Sequence, residues 1–144
     1  MTAKEELNQY KYTRKKVDET LEEYQKYKDR AEKMTSIISD MPRGTNNGDK
    51  VADNATIMAD LSKEYERRWV EAEKEKLRIE QNIDNVEEPY RTILHKRYIE
   101  ELNFEKIADC MGYTYSAITK MHGKALYQYM CKKMQDIANK NVLL

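Results

Sequence analysis

The sequence predicts an all-α fold, a long antiparallel helical hairpin of coiled-coil character followed by a helix-turn-helix. Three observations carry that prediction. Charged residues make up 36% of the chain, with only four glycines and two prolines, and mean hydropathy is −0.98. This is the composition of long solvated helices rather than of a sheet or a bulky globule. Apolar residues recur at heptad spacing along two stretches of equal length with one Pro/Gly/Asn-rich break between them. Two short helical patterns then meet at Met111-Gly112-Tyr113 within 104–121, the layout of two helices packed at a steep angle. Eleven tyrosines, eight methionines and the regular apolar spacing argue against disorder.

The first stretch, 3–40, places Leu7 and Leu21 on one heptad track and Tyr10, Val17, Tyr24, Ala31 and Ile38 on the other. Tyr27, Met34 and Met41 lie beside them, while Arg14 and Lys28 interrupt the first track. Intervening Glu, Lys and Asp residues at i,i+4 support exposed helix faces. Helix character stops at 41–49, Met41-Pro42-Arg43-Gly44-Thr45-Asn46-Asn47-Gly48-Asp49. Proline removes a donor and turns its predecessor away from α geometry, and Gly and Asn favour turns. Asp49 is a candidate N-cap for the next helix.

From 50 to 87 the period returns, with Val51, Met58, Tyr65, Ala72, Ile79 and Val86 on one track and Ala55, Trp69 and Ile83 on the other. Two arms of about 38 residues, each about 57 Å long at 1.5 Å per residue, joined by a short turn, predict an antiparallel hairpin. Such a hairpin buries one stripe per helix, so its remaining apolar residues call for another copy or another partner. The tyrosine and methionine stripe reads as packing, not as a cofactor site.

Pro89 is placed to open a new helix over 90–101 with Ile93, Leu94, Tyr98 and Leu102 apolar. Asn103 is positioned to cap a helix over 104–111, and Thr114 to cap a last helix from Tyr115. That last helix carries its stripe onward through Ala125, Leu126, Tyr129, Met130, Met134 and Ile137. Ile107, Ala108, Met111, Tyr113, Ile118 and Met121 form the predicted inner face, with Ala108 small where the helices cross. Gly112 sits where the turn requires a positive φ. The chain thus divides into a helical hairpin, 1–88, for oligomerisation or partner binding, and a helix-turn-helix domain, 89–144.

Net charge is zero, yet residues 89–144 carry nine basic and five acidic side chains, and 42–88 carry eight and twelve. The basic end therefore suits an anionic partner. With a DNA-binding helix-turn-helix, the helix from Tyr115 lies in the major groove and presents Thr114, Tyr115, Ser116, Thr119 and Lys120 to base edges, with Gly123 also outward. Lys120 is a donor for guanine O6 or N7, Ser116 and Thr119 bond several edges, and the Tyr115 ring packs on a thymine methyl. Arg91, Lys96, Arg97, Lys124, Lys132 and Lys133 are candidates for phosphate contacts, which set affinity and register.

No nucleophile–base pair, phosphate-cradling Gly loop or metal-ligand spacing is evident, so neither catalysis nor a cofactor is predicted. His95 and His122 read as partly exposed packing residues, and the isolated Cys110 and Cys131 as reduced thiols. No apolar run approaches the ~20 residues of a membrane span, and the first residues hold no signal-like apolar core. A cytoplasmic protein with no membrane partner is expected.

Residues 89–126 resemble region 4 of bacterial sigma factors, which binds the −35 promoter element. The matching residues are Leu94, Arg97, Tyr98, Phe104-Glu105-Lys106-Ile107-Ala108, Gly112, Thr114, Ile118, Met121 and Ala125-Leu126. Sigma factors usually carry Arg, Glu and Gln at the reading positions, where this chain has Tyr115, Ser116, Thr119 and Lys120. The whole chain resembles small phage and prophage proteins of Gram-positive bacteria grouped as ArpU-like or RinA-like late transcriptional regulators. The matching segments are Met41-Pro42-Arg43-Gly44, Asp49-Lys50-Val51-Ala52-Asp53 and Tyr98-Ile99-Glu100. The resemblance implies a sequence-specific DNA-binding activator of late phage genes. A homodimer on double-stranded DNA is then expected, since two half-sites supply more specificity than one. Two other readings are a DNA-packaging oligomer of the small-terminase kind and a protein-binding module that contacts host RNA polymerase.

Overall fold

The computed structural model describes residues 1–39 and 48–143, and the fold is all-α, with no strand among the described residues. Helix α1 spans Ala3–Ser39 and α2 spans Gly48–Asp84. Then come α3, Tyr90–Leu94, a π-helical turn at His95–Ile99, α4, Phe104–Met111, and α5, Tyr115–Val142. The Met41-Pro42-Arg43-Gly44 turn lies outside the described residues. Because α2 begins at Gly48, Asp49 stands inside its first turn rather than at its N-cap.

The chain forms two compact units: Thr13–Ala72, and Met1–Tyr12 together with Glu73–Leu144. In the Thr13–Ala72 unit two side-chain bonds join α1 to α2. Arg68 Nη1 donates to Thr20 Oγ1 (3.0 Å), and Asn54 Nδ2 donates to Met34 Sδ (3.0 Å). Partner numbers fall along α2 as they rise along α1, the order of an antiparallel pair. The contact stripe on α2 differs from the expected second track. Trp69 is 44% exposed and Ala55 is exposed, while Asn54, Leu61 and Arg68 are half-buried. Arg68 finds a hydroxyl and Asn54 a thioether sulfur to bond on α1, so both occupy seam positions that an apolar-only pattern skips. Leu21 and Val51, expected on the tracks, are likewise exposed.

The other unit holds two cores. One gathers Ala3, Leu7 and Tyr10 of α1, Ile79, Ile83 and Val86 from α2 and just beyond it, Leu94, Tyr98, and Ala125 and Tyr129 of α5. Its polar tie is Glu6, only 5% exposed, whose carboxylate meets Arg78 Nη1 at 3.3 Å and Lys133 Nζ at 2.5 Å. Asn82 Nδ2 donates to the Tyr129 hydroxyl at 3.3 Å beside it. The second core joins Ile93, Ile107, Ala108 and Ile118, flanked by Leu102, Phe104, Met111 and Met121. Burying each aliphatic side chain contributes about 1.5–3 kcal/mol.

The helix expected over 90–101 is interrupted. Its bonds widen after Leu94, with Glu100 N–H reaching His95 O at 3.1 Å and Leu102 N–H reaching Lys96 O at 2.9 Å. The extra residue per turn in a π segment shifts the side-chain register. Ahead of the π turn Ile93 serves the second core and Leu94 the first, and within it Tyr98 serves the first. Pro89 precedes α3 as its N-cap, after a cis Glu88–Pro89 peptide, rather than lying inside the helix.

Candidate nucleic-acid interface

Each joint of the α4–α5 motif is built from local chemistry. The Asn103 side chain accepts from Lys106 N–H at 2.9 Å and caps α4. The Thr114 hydroxyl accepts from Ala117 N–H at 3.1 Å and caps α5. Between them Gly112 adopts φ 73°, a left-handed conformation in which a residue without Cβ is least strained. The N–H groups of Gly112 and Tyr113 both turn back to the Ala108 carbonyl, closing the end of α4. These satisfied ends hold Ile107, Ala108 and Ile118 in register, as the spacing predicts.

The first turns of α5 present an open polar face. Tyr115 is 56% exposed, and Thr114, Ser116, Lys120 and Lys124 are exposed as well. Thr119 is half-buried and donates its hydroxyl hydrogen to the Ser116 carbonyl at 2.9 Å. Its methyl and hydroxyl oxygen are what it can offer a partner. Tyr113, expected on the inner face, is 43% exposed and stands just before Thr114. The position after the left-handed glycine is set by the turn rather than by the helical period, so periodicity misassigned it.

The basic candidates divide by occupation. Arg91 Nε donates to Val86 O at 2.9 Å. Arg97 Nη1 donates to Leu102 O at 3.1 Å, and its guanidinium lies 4.3 Å from the centre of the Phe104 ring. Lys96 pairs with Glu100 at 3.5 Å, and Lys133 is held by Glu6. Lys120, Lys124 and Lys132 make no ion pair among the described residues. The structure therefore groups Thr114, Tyr115, Ser116, Thr119, Lys120 and Lys124 on the leading turns of α5 and commits Arg91, Arg97 and Lys133 to internal bonds.

Behind this face stands an aromatic cluster that sequence reasoning missed. Phe104 packs edge-on against Tyr115 (6.4 Å between ring centres) and against His122 (4.9 Å). His122 is 8% exposed, and its Nε2 lies 2.7 Å from the Tyr98 hydroxyl. Burial lowers the His122 pKa to about 4, aided by the charges of Arg97 and Lys4. The imidazole is thus neutral at pH 7 and shares a hydrogen bond with the Tyr98 hydroxyl through Nε2. Burial also pushes the Tyr98 hydroxyl up to about 12. The partners are 24 residues apart, so no local pattern reveals the pair; the one available signal was the helical register that puts His122 beside Ile118 and Ala125.

Among the described residues no group of three His, Cys, Asp or Glu side chains converges as a metal site. No helix among them is long and apolar enough to cross a membrane. The arrangement offers hydrogen-bond donors, two exposed tyrosine rings and ammonium groups at a capped helix end, which is chemistry for recognition. Comparison of the chain with known protein families, curated proteins and solved structures finds no match.

Proposed function

We propose that this protein is a sequence-specific DNA-binding transcriptional regulator, an activator of late phage genes working as a homodimer in the host cytoplasm without catalysis of its own. The observation that carries this reading is the capped α5 start. Thr114 and Gly112 fix the turn, and Tyr115, Ser116 and Lys120 are left exposed at the end that such a motif directs into the major groove. The resemblance to sigma region 4 supports it, and so does the basic excess of residues 89–144. Dimerisation is supported by the Thr13–Ala72 unit, where none of the described residues of 21–36 and 51–71 is fully buried. A second copy covers that half-buried seam and brings two reading helices to one operator.

Binding of the full chain to fragments of its own genome tests the reading. One fragment is expected to bind preferentially, with log affinity falling against log salt at a slope of ~0.9 per phosphate contacted. Lys120→Ala is expected to relax specificity by roughly 1–3 kcal/mol, and Thr119→Ala likewise if its methyl or hydroxyl reads a base. Equal affinity for every fragment defeats the proposal. Binding to host RNA polymerase without DNA preference favours the protein-binding alternative. An eight- to ten-membered ring in solution favours the packaging alternative.

A further inference from the structure

The first turns of α1 belong to the same unit as α4 and α5. Ala3, Leu7 and Tyr10 anchor them in the core beside Tyr98, Ala125 and Tyr129. Flanking that apolar stripe, Lys4, Asn8 and Lys11 recur at i, i+4 and i+7, which sets them along one side of the helix. Both lysines are exposed, and neither makes an ion pair among the described residues. Asn8 and Lys11 line a shallow cleft together with Arg97, Tyr98 and Glu101. Arg97 uses Nη1 on the Leu102 carbonyl and has no described hydrogen bond at Nε or Nη2. Lys4 is close enough to His122 for its charge, with that of Arg97, to disfavour imidazolium. The carboxylates next to these lysines on α1 are already engaged, Glu5 by the Thr2 N–H at 2.8 Å and Glu6 by Arg78 and Lys133. What faces solvent is therefore a cationic flank of Lys4 and Lys11, with half-buried Arg97 beside it and Glu101 the one carboxylate lining the cleft. It connects through Arg97, Phe104 and Tyr115 to the leading turn of α5.

We propose that this flank of α1 grips the DNA backbone beside the groove entered by α5, with Lys4 and Lys11 neutralising phosphates. The proposal rests on the reading of α5 as a DNA-entering helix. It extends the interface to residues that the heptad pattern assigns to the arm for oligomerisation or partner binding.

The test uses the full chain and the preferred fragment of the wild type, with affinity measured at several salt concentrations. Lys4→Ala with Lys11→Ala is expected to lower the salt slope by ~1.8, at ~0.9 per lost phosphate contact, while leaving the ranking of fragments unchanged. Lys4→Arg with Lys11→Arg is expected to retain the slope. Lys26→Ala with Lys33→Ala, which removes the same charge from the other unit, is expected to leave it unchanged. Far-UV circular dichroism and thermal melting confirm that the variants fold. A wild-type slope in the Lys4/Lys11 alanine variant overturns the inference while leaving the α5 reading intact. An unchanged slope with weakened polymerase binding assigns the flank to a protein surface and likewise overturns it. Absence of any preferred fragment for the wild type removes the α5 reading and this inference with it.

Discussion

Lowering the pH should destabilise the fold through one imidazole. His122 lies 2.7 Å from Tyr98, against Phe104, at 8% exposure, and its pKa is depressed to about 4 from an ordinary value near 6.5. The unfolded chain binds this proton more readily than the folded one. Stability from the neutral ring is therefore complete above pH 6.5 and is lost as pH falls towards 4. Between pH 7.5 and 5 the loss is about 2 kcal/mol, a large share of a typical folding free energy of about 5–15 kcal/mol. Burial supplies most of it; the Arg97 and Lys4 contributions are open to screening by salt and shrink as ionic strength rises. The assay is urea unfolding followed by circular dichroism at the two pH values, on the wild type and on His122→Phe. Groups that titrate in both proteins, such as the surface carboxylates, cancel in the comparison. The wild type should lose about 2 kcal/mol more than the variant over this interval. Equal losses, within about 0.5 kcal/mol, would show that the ring is not held neutral by its surroundings.

Three further substitutions probe the caps and the buried ion pair. Gly112→Ala meets no neighbouring atom but must adopt φ 73°, so it should cost roughly 1–2 kcal/mol in chemical denaturation without altering the m value. Thr114→Ala removes the cap on Ala117 N–H and should cost about 1 kcal/mol, with faster amide exchange confined to the first turn of α5. Glu6→Ala strips Lys133 and Arg78 of their shared carboxylate; because Arg78 is half exposed, a loss on the order of 1–3 kcal/mol is expected in urea unfolding, more than for an α1 surface residue such as Glu22→Ala.

What the sequence disclosed depended on range. Asn103, Gly112 and Thr114 were legible because a cap or a left-handed turn is decided by residues within three or four positions. The inner residues Ile107, Ala108 and Ile118 were legible because the helical period sets them on the facing sides of α4 and α5. Tyr113 was misassigned because the turn, not the helix period, aims it. Asn54 and Arg68 were passed over as seam residues because a hydrophobic pattern cannot anticipate that Met34 and Thr20 will accept their hydrogen bonds. The π turn at His95–Ile99 was invisible because no Gly or Pro marks a break in the helical pattern there. The Tyr98–His122 pair and the Glu6 tie join residues from distant helices and leave no local trace. Of the site, the exposed polar turn of α5 was read from spacing, whereas the internal commitments of Arg91, Arg97 and Lys133 were not.

Helix α5 runs without a break from Tyr115 to Val142, contributing Ile118 to one core and Ala125 and Tyr129 to the other. The end that bears Lys120 is therefore one stiff lever with the segment clamped by α1 and α2, and it has no pivot of its own. Orientational freedom that a tethered motif would surrender on meeting its target has already been surrendered on folding. Under the proposed function, control over such a helix works by occluding its face, changing how many copies are held together, or loosening the clamp at Glu6 and Tyr129, and not by swinging it in and out.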